Sequence, residues 1–190
     1  MYKLLLATND PAVVEAFSAV KWEELGFKQP RVVSTADLLK ECRHEFFRAL
    51  MDGRATSEED VLRHLRLIRS KMDPTKPCVV AELEIPADND FLRGRWQYGS
   101  DRLEVALRNI FGVEAHGLRI LACVLPGDRI VLLGCPMLFH EGPDEDASIT
   151  GILSDHIRDS IEHVDEYMGI DLRIASIRVL PCLTALAHKD

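Results

Sequence analysis

Apolar positions recur along this chain with two different periods, and the changes between them divide it into segments. Residues 3–7 form a short, mostly apolar run that predicts a buried strand. Asp10 then caps a helix with Pro11 at its first position, and Val13, Val14, Phe17 and Val20 give that helix an apolar face. Gly26 closes the unit, and Arg31-Val32-Val33-Ser34 reads as a second strand, so the chain opens as β-α-β, the start of a parallel arrangement. Two helices follow without a strand between them. Leu38, Leu39, Cys42, Phe46 and Leu50 recur at helical spacing as far as Gly53, and Val61, Leu62, Leu65 and Ile68 supply the face of the second helix. Thr56 and Glu59 have the spacing of a capping box at its start. Pro74 and Pro77 end the pair and mark a domain boundary.

From residue 78 the order becomes regular. Cys78–Ile85 reads as a strand, and 89–111 as helical with breaks near Gly94 and Gly99. Leu118–Val124 and Arg129–Gly134 are strands joined by the tight-turn sequence Pro126-Gly127-Asp128. Ile149, Leu153, Ile157, Ile161, Val164 and Met168 define a long amphipathic helix that stops at Gly169, and Asp171–Val179 is the last strand. The expected class is α+β: a ferredoxin-like β-α-β-β-α-β core over 76–190, a β-α-β stub over 1–35, and linking helices over 36–75.

Composition narrows the function classes. A formal net charge of -8 over 190 residues repels phosphate backbones and anionic membrane surfaces, so no direct nucleic-acid or membrane binding is expected. The basic cluster Arg63, Arg66, Arg69 and Lys71 follows Glu58, Glu59 and Asp60 on one predicted helix, which is the charge order that suits the helix dipole. No apolar run approaches the roughly 18 residues of a membrane span, and the N-terminal run lacks a cleavage site, so a cytoplasmic location is expected. The five cysteines are widely spaced with no Cys-x-x-Cys pair, which indicates neither a zinc site nor a disulfide framework. Among the seven histidines, His156 and His163 are about 10 Å apart along one helix, too far to share a metal. No Gly-x-Ser-x-Gly elbow and no phosphate-binding Gly-rich loop is present.

Two stretches carry a family resemblance. Residues 1–11, Met1-Tyr2-Lys3-Leu4-Leu5-Leu6-Ala7-Thr8-Asn9-Asp10-Pro11, with Trp22-Glu23-Glu24-Leu25-Gly26-Phe27, resemble the start of receiver domains in AraC-type two-component response regulators. In that family two adjacent acidic residues hold Mg²⁺, whereas here the pair is Asn9 and Asp10. The resemblance covers about the first 33 residues, and no phosphoacceptor strand follows. The second stretch covers roughly 43–180 and looks like the central domain of the same regulators, itself similar to the GGDEF diguanylate cyclases. It is anchored on Phe46-Phe47-Arg48-Ala49-Leu50-Met51-Asp52-Gly53-Arg54, on Trp96-Gln97-Tyr98-Gly99-Ser100-Asp101-Arg102-Leu103, on Ala106-Leu107-Arg108-Asn109-Ile110 and on the hairpin from Gly127 to Leu133.

A cyclase holds two Mg²⁺ ions on carboxylates of its first strand and hairpin. Here the hairpin reads Pro126-Gly127-Asp128-Arg129-Ile130 where the cyclases have Gly-Gly-Asp-Glu-Phe, so a cation replaces a carboxylate. Glu82 and Glu84 alternate with Ala81 and Leu83 and share one strand face, either as ligands or as a solvated face. The resemblance therefore implies no enzyme activity and no cofactor. It implies a signal-transduction and transcription-regulation module that acts through protein partners or as a homodimer, without the family's DNA-binding helices, since only about ten residues follow the last strand. The helices at 36–52 and 58–71, with Phe46, Phe47 and Leu50, are candidates for a dimer contact or for packing within one chain. The alternative is a nucleotide or small-anion sensor with Glu82, Glu84, Asp128 and Arg129 around a remnant pocket.

Overall fold

A computed structural model describes residues 5–27, 30–54, 57–86, 96–127, 129–138 and 146–187. Among the described residues it is a mixed α+β protein with five α-helices, an antiparallel five-stranded sheet and a two-stranded parallel sheet. The chain divides into two compact units, Met1–Phe46 and Phe47–Asp190, and the division falls inside a helix.

In the first unit β1 (Leu5–Ala7) runs parallel to β2 (Arg31–Val33), with α1 (Pro11–Ser18) between them in sequence. Asp10 caps α1 as its spacing from Pro11 predicts: its backbone is extended and its carboxylate accepts from the Ala12 N–H at 2.9 Å. The helix buries none of its residues, so its apolar face is amphipathic in pattern without being enclosed. After β2, Ser34 starts α2 (Thr35–Met51) by accepting from the Asp37 N–H at 3.0 Å and donating to the Asp37 carboxylate at 2.7 Å.

The second unit begins within α2 and continues through α3 (Glu58–Leu67). Ser57 caps α3 by accepting from the Asp60 N–H, one residue later than the Thr56–Glu59 box that the sequence suggests. The extended backbone at Ser57 aims its hydroxyl at that amide, and Thr56 lies outside the described residues. The sheet strands are β3 (Cys78–Glu84), β4 (Glu114–Ala115), β5 (Leu118–Leu125), β6 (Arg129–Pro136) and β7 (Arg173–Leu180). Their order is β4-β5-β6-β3-β7, with every neighbouring pair antiparallel. β3 and β5 are thus parallel with β6 between them, and β6 and β7 are parallel with β3 between them. Two β-α-β crossovers interlock, one through α4 (Ser100–Phe111) and one through α5 (Asp146–Met168).

Helix α4 starts at Ser100, so the break expected near Gly99 is where the helix begins; positions 87–95 lie outside the described residues. The two-residue strand β4 was not legible in the sequence. It is made by His116 and Gly117, both with positive φ, which fold Glu114–Ala115 back onto β5 in a tight hairpin.

Strand alternation sorts the sheet's residues onto two faces. Val79, Ala81 and Leu83 of β3 join Ile130 and Leu132 of β6 and Leu103, Leu107 and Phe111 of α4 in one core, closed by Ile149, Leu153, Ile157 and Val164 of α5. Gly134 lets α5 approach β6 closely, since a Cβ there would stand 2.9 Å from Leu153 Cδ2. On the opposite face Cys78, Val80, Cys123, Val131, Leu133 and Cys135 are buried too, and so are Phe47, Leu50, Met51, Val61 and Leu65 from α2 and α3. Backbone bonds from Asp73 to Pro136, Leu138 to Lys71 and Leu183 to Pro74 stitch the segment after α3 to the sheet's end. Both faces of this sheet therefore lie in apolar layers.

Candidate functional site

The residues singled out on the sheet meet at one corner. Glu82 and Glu84 leave β3 on the face opposite the α4–α5 core, as their alternation with Ala81 and Leu83 implies. Arg129, the first residue of β6, precedes Ile130, which pairs with Leu83, so its side chain emerges on the face of Glu82. Its guanidinium donates to Glu82 Oε1 at 3.2 Å. Arg178 of β7 lies opposite Val80 on the same face and stands 3.7 Å from the same oxygen. Glu82 thus sits between two cations, from the strands on either side of it. Glu84, two residues further on, is exposed, and in register it faces Arg173, which donates to Asp171 at 2.8 Å. Asp128 lies outside the described residues.

Arg178 was missed by reasoning from the hairpin. Its signal is the arginine pair Arg173 and Arg178 on the last strand, which acquires meaning once β7 is known to lie beside β3. A carboxylate already held by two guanidinium groups is a poor site for Mg²⁺. A divalent ion 4 Å from each arginine would meet a repulsion of about 2 kcal/mol per cation even at the dielectric of bulk water. The same corner sets two half-exposed guanidinium groups beside the hairpin, both against the Glu82 carboxylate.

In the first unit, Asn9 and Asp10 take separate tasks. The Asp10 carboxylate is used as the cap of α1. Asn9 reaches across to the start of α2, where its Nδ2 donates to Thr35 Oγ1 at 2.6 Å and its Oδ1 accepts from the Thr35 N–H at 3.2 Å. A wide-open hollow of about 570 Å³ lies at the carboxyl ends of β1 and β2, between Thr8, Asn9 and Ser34 on one side and Pro11, Val14 and Glu15 on the other.

One buried polar constellation was also missed. Glu104, on α4 between Leu103 and Val105, is 4% exposed. Its Oε2 accepts from the Val124 N–H on the outer edge of β5 at 3.0 Å and from Arg48 of α2 at 3.2 Å. The signal was present in the sequence, because Glu104 falls within the apolar phase of Leu103, Leu107 and Phe111. Burial first, and then the Glu104 carboxylate, push the neighbouring Cys123 thiol up to about 12, against the opposing fields of Arg48 and Arg108. Burial and a hydrogen bond with Cys78 raise the Cys135 thiol well above its ordinary range. Cys78, Cys123 and Cys135 are buried core residues, whereas Cys42 is exposed.

The remaining candidates have structural settings. His156 donates from Nε2 to the Phe111 carbonyl at the end of α4, at 2.6 Å. Trp96 donates to the Gly99 carbonyl and stands edge-on to Tyr98, with Arg102 over the Tyr98 ring at 5.8 Å. Phe47 and Leu50 are buried within the chain, which takes them out of any surface open to a second copy. Among the described residues no helix is long and apolar enough to cross a membrane, and no group of three or more His, Cys, Asp or Glu side chains has the arrangement of a metal site. No protein-family model matches this chain, and no curated protein matches it in sequence.

Proposed function

We propose that this protein is a non-enzymatic signalling module related to the AraC-type response regulators, acting in the cytoplasm by association with other proteins or with a second copy. The observation that carries this reading is the pairing of Glu82 with Arg129 and Arg178. At the corner where a diguanylate cyclase would gather metal-holding carboxylates, two guanidinium groups compete for the carboxylate that is there. The strand order β5-β6-β3-β7 with two interlocked crossovers supports assigning the second unit to the ferredoxin-like class of the GGDEF domains. The use of Asp10 as a helix cap and of Asn9 as a tie to α2 supports a first unit that does no phosphotransfer.

A second reading, a nucleotide or small-anion sensor, is favoured by the two half-exposed arginines beside the hairpin. One experiment separates the readings. The full chain is incubated with GTP and Mg²⁺ or Mn²⁺ and assayed for cyclic dinucleotide, and its thermal midpoint is recorded with GTP, ATP, cyclic dinucleotides and acetyl phosphate. The module reading expects no product and no shift. A shift that disappears in Arg129→Ala moves the assignment to the sensor, because a ligand at 100 times its Kd stabilises by about 2.7 kcal/mol. Cyclic dinucleotide product overturns both.

A further inference from the structure

Two buried cysteines of the five-stranded sheet stand directly opposite each other. The β3–β6 ladder pairs Val79 with Gly134, and the next step of the same register brings Cys78 against Cys135. Both are fully buried, and their thiols share a hydrogen bond. The kind of pair they form follows from β5. Ile120 and Val124 turn their N–H groups away from β6, to the Val113 carbonyl and the Glu104 carboxylate. The residues of β5 that bond to β6 are therefore the alternate ones, among them Arg119, which pairs with Cys135. Cys135 thus directs its backbone groups at β5, and Met137, two residues on, keeps that phase by donating to the Gly117 carbonyl. Against β3, Cys135 makes a non-hydrogen-bonded pair, the kind whose Cα atoms stand about 4.5 Å apart and whose side chains are closest. A disulfide needs Cα atoms about 4.4–6.8 Å apart, so this pair can close without moving the strands.

The β3–β6 ladder loses its donors at this point. On one side of the cysteines stands the hydrogen-bonded pair Val79 and Gly134. On the other, the register would bring Pro77 against Pro136, and neither proline carries an N–H. The Pro136 carbonyl accepts from the Asp73 N–H instead. The ladder therefore ends beside the cysteines, and a local opening of that end bares them while the rest of the sheet keeps its bonds. We propose that Cys78 and Cys135 are a redox modification site, which closes into a cross-strand disulfide with a small disulfide as oxidant. One thiolate attacks the small disulfide, displaces a thiol and forms a mixed disulfide. The second thiolate attacks that bond at the cysteine sulfur, displaces the other thiol and leaves Cys78 joined to Cys135. Two protons and two electrons pass from the cysteines to the oxidant, which departs as two thiols. Burial holds the Cys135 thiol well above its ordinary range, so the closed sheet carries little thiolate and resists attack. The link forms when the sheet end opens in the presence of the oxidant, and it then ties β3 to β6 where the backbone bonds stop.

The full chain is incubated with glutathione disulfide at about pH 8, in water and in urea below the unfolding midpoint. The reaction is stopped with acid, free thiols are alkylated, and linked peptides are mapped by mass spectrometry. The expected product is one disulfide joining Cys78 to Cys135, formed about tenfold faster in the urea, while Cys123 stays a thiol. Cys123 is the internal control. It is buried in the same unit but pairs with Val131, about 13 Å along β6 from Cys135. The oxidised chain is expected to keep its fold and to unfold at a higher urea concentration than the reduced chain. Cys135→Ala is expected to abolish the link, and Cys42→Ala to leave it. The mapping itself is made on the unaltered chain, so the test does not depend on a variant that folds. The inference is overturned if no link forms, if another pair of cysteines predominates, or if Cys123 reacts as fast as the pair. An oxidised chain less stable than the reduced one overturns it too. Every step rests on register within the second unit, so either result leaves the proposed function to its own test.

Discussion

Both units contain a strand, a helix and a second strand parallel to the first, yet they enclose very different amounts of chain. In the first, β1 and β2 are direct neighbours and α1 buries none of its residues. In the second, β3 and β5 are separated by β6, and α4 between them places Leu103, Leu107 and Phe111 in a core they share with α5. Both helices carry apolar residues on one face, Val13, Val14 and Phe17 on α1 and Leu103, Leu107 and Phe111 on α4. What differs is what lies opposite. Two strands of three described residues each offer too little sheet to cover a helix, whereas five strands, with a second helix alongside, enclose the inner face of α4. Burial is a property of the neighbours as much as of the residue, and the apolar transfer term of about 25 cal/mol per Å² is collected only when they are present.

The sharpest way to break this comparison is to truncate equivalent apolar side chains. Phe111→Ala should lower unfolding stability by about 3–5 kcal/mol, and Val13→Ala by no more than about 0.5 kcal/mol, both from urea titration of the full chain. Similar losses at the two positions would mean that α1 is packed as firmly as α4. Next in size is Glu104→Ala, expected to cost about 2–4 kcal/mol because the ion pair with Arg48 and the acceptor for Val124 vanish together. A loss below 1 kcal/mol would show that water replaces the carboxylate there.

Alkaline titration separates the units by their thiols. The folded-state value of Cys123, about 12, lies above the 9.0 of an unfolded thiol. Its contribution is complete below pH 9 and is lost as the pH rises toward 12, since the unfolded chain releases the proton first. The decline should be about 1.4 kcal/mol per pH unit in that window, and Cys135 adds to it in the same direction. A thiol reagent at neutral pH should label Cys42 quickly and Cys78, Cys123 and Cys135 only on unfolding. Rapid labelling of Cys123 in native protein would remove the basis for the pH effect. The smallest effects are expected at the exposed corner. Arg129→Ala and Arg178→Ala should each change stability by about 0–1 kcal/mol, less in high salt. A larger, salt-independent loss would mark the Glu82 cluster as part of the core.

Much of the second unit was legible in the sequence. The strands at Cys78, Leu118 and Arg129 and the long helix ending before Gly169 follow from alternation, helical spacing and turn residues close together in the chain. The α1 cap was legible too, because Asp10 and Pro11 act on their immediate neighbours. The hairpin strand β4 was not, since two residues carry no period and positive φ is uncommon for any non-glycine residue such as His116. In the candidate site, Glu82 and Arg129 were visible as unusual residues for their positions. Their pairing was not, because it depends on sheet register across 47 residues of chain.

By itself the sequence determined what its local physics controls: which segments are helices or strands, where most of them start and stop, and which face of each is apolar. The tertiary structure decided which strands became neighbours, and with that the fate of every polar group near the sheet. It turned Glu82 into the centre of two arginines, Glu104 into a buried acceptor for Val124 and Arg48, and Asn9 into the tie on Thr35. Charge and hydrogen-bond energies fall off within a few ångströms, so such groups take their roles from whichever residues the fold brings next to them, however far away in the chain.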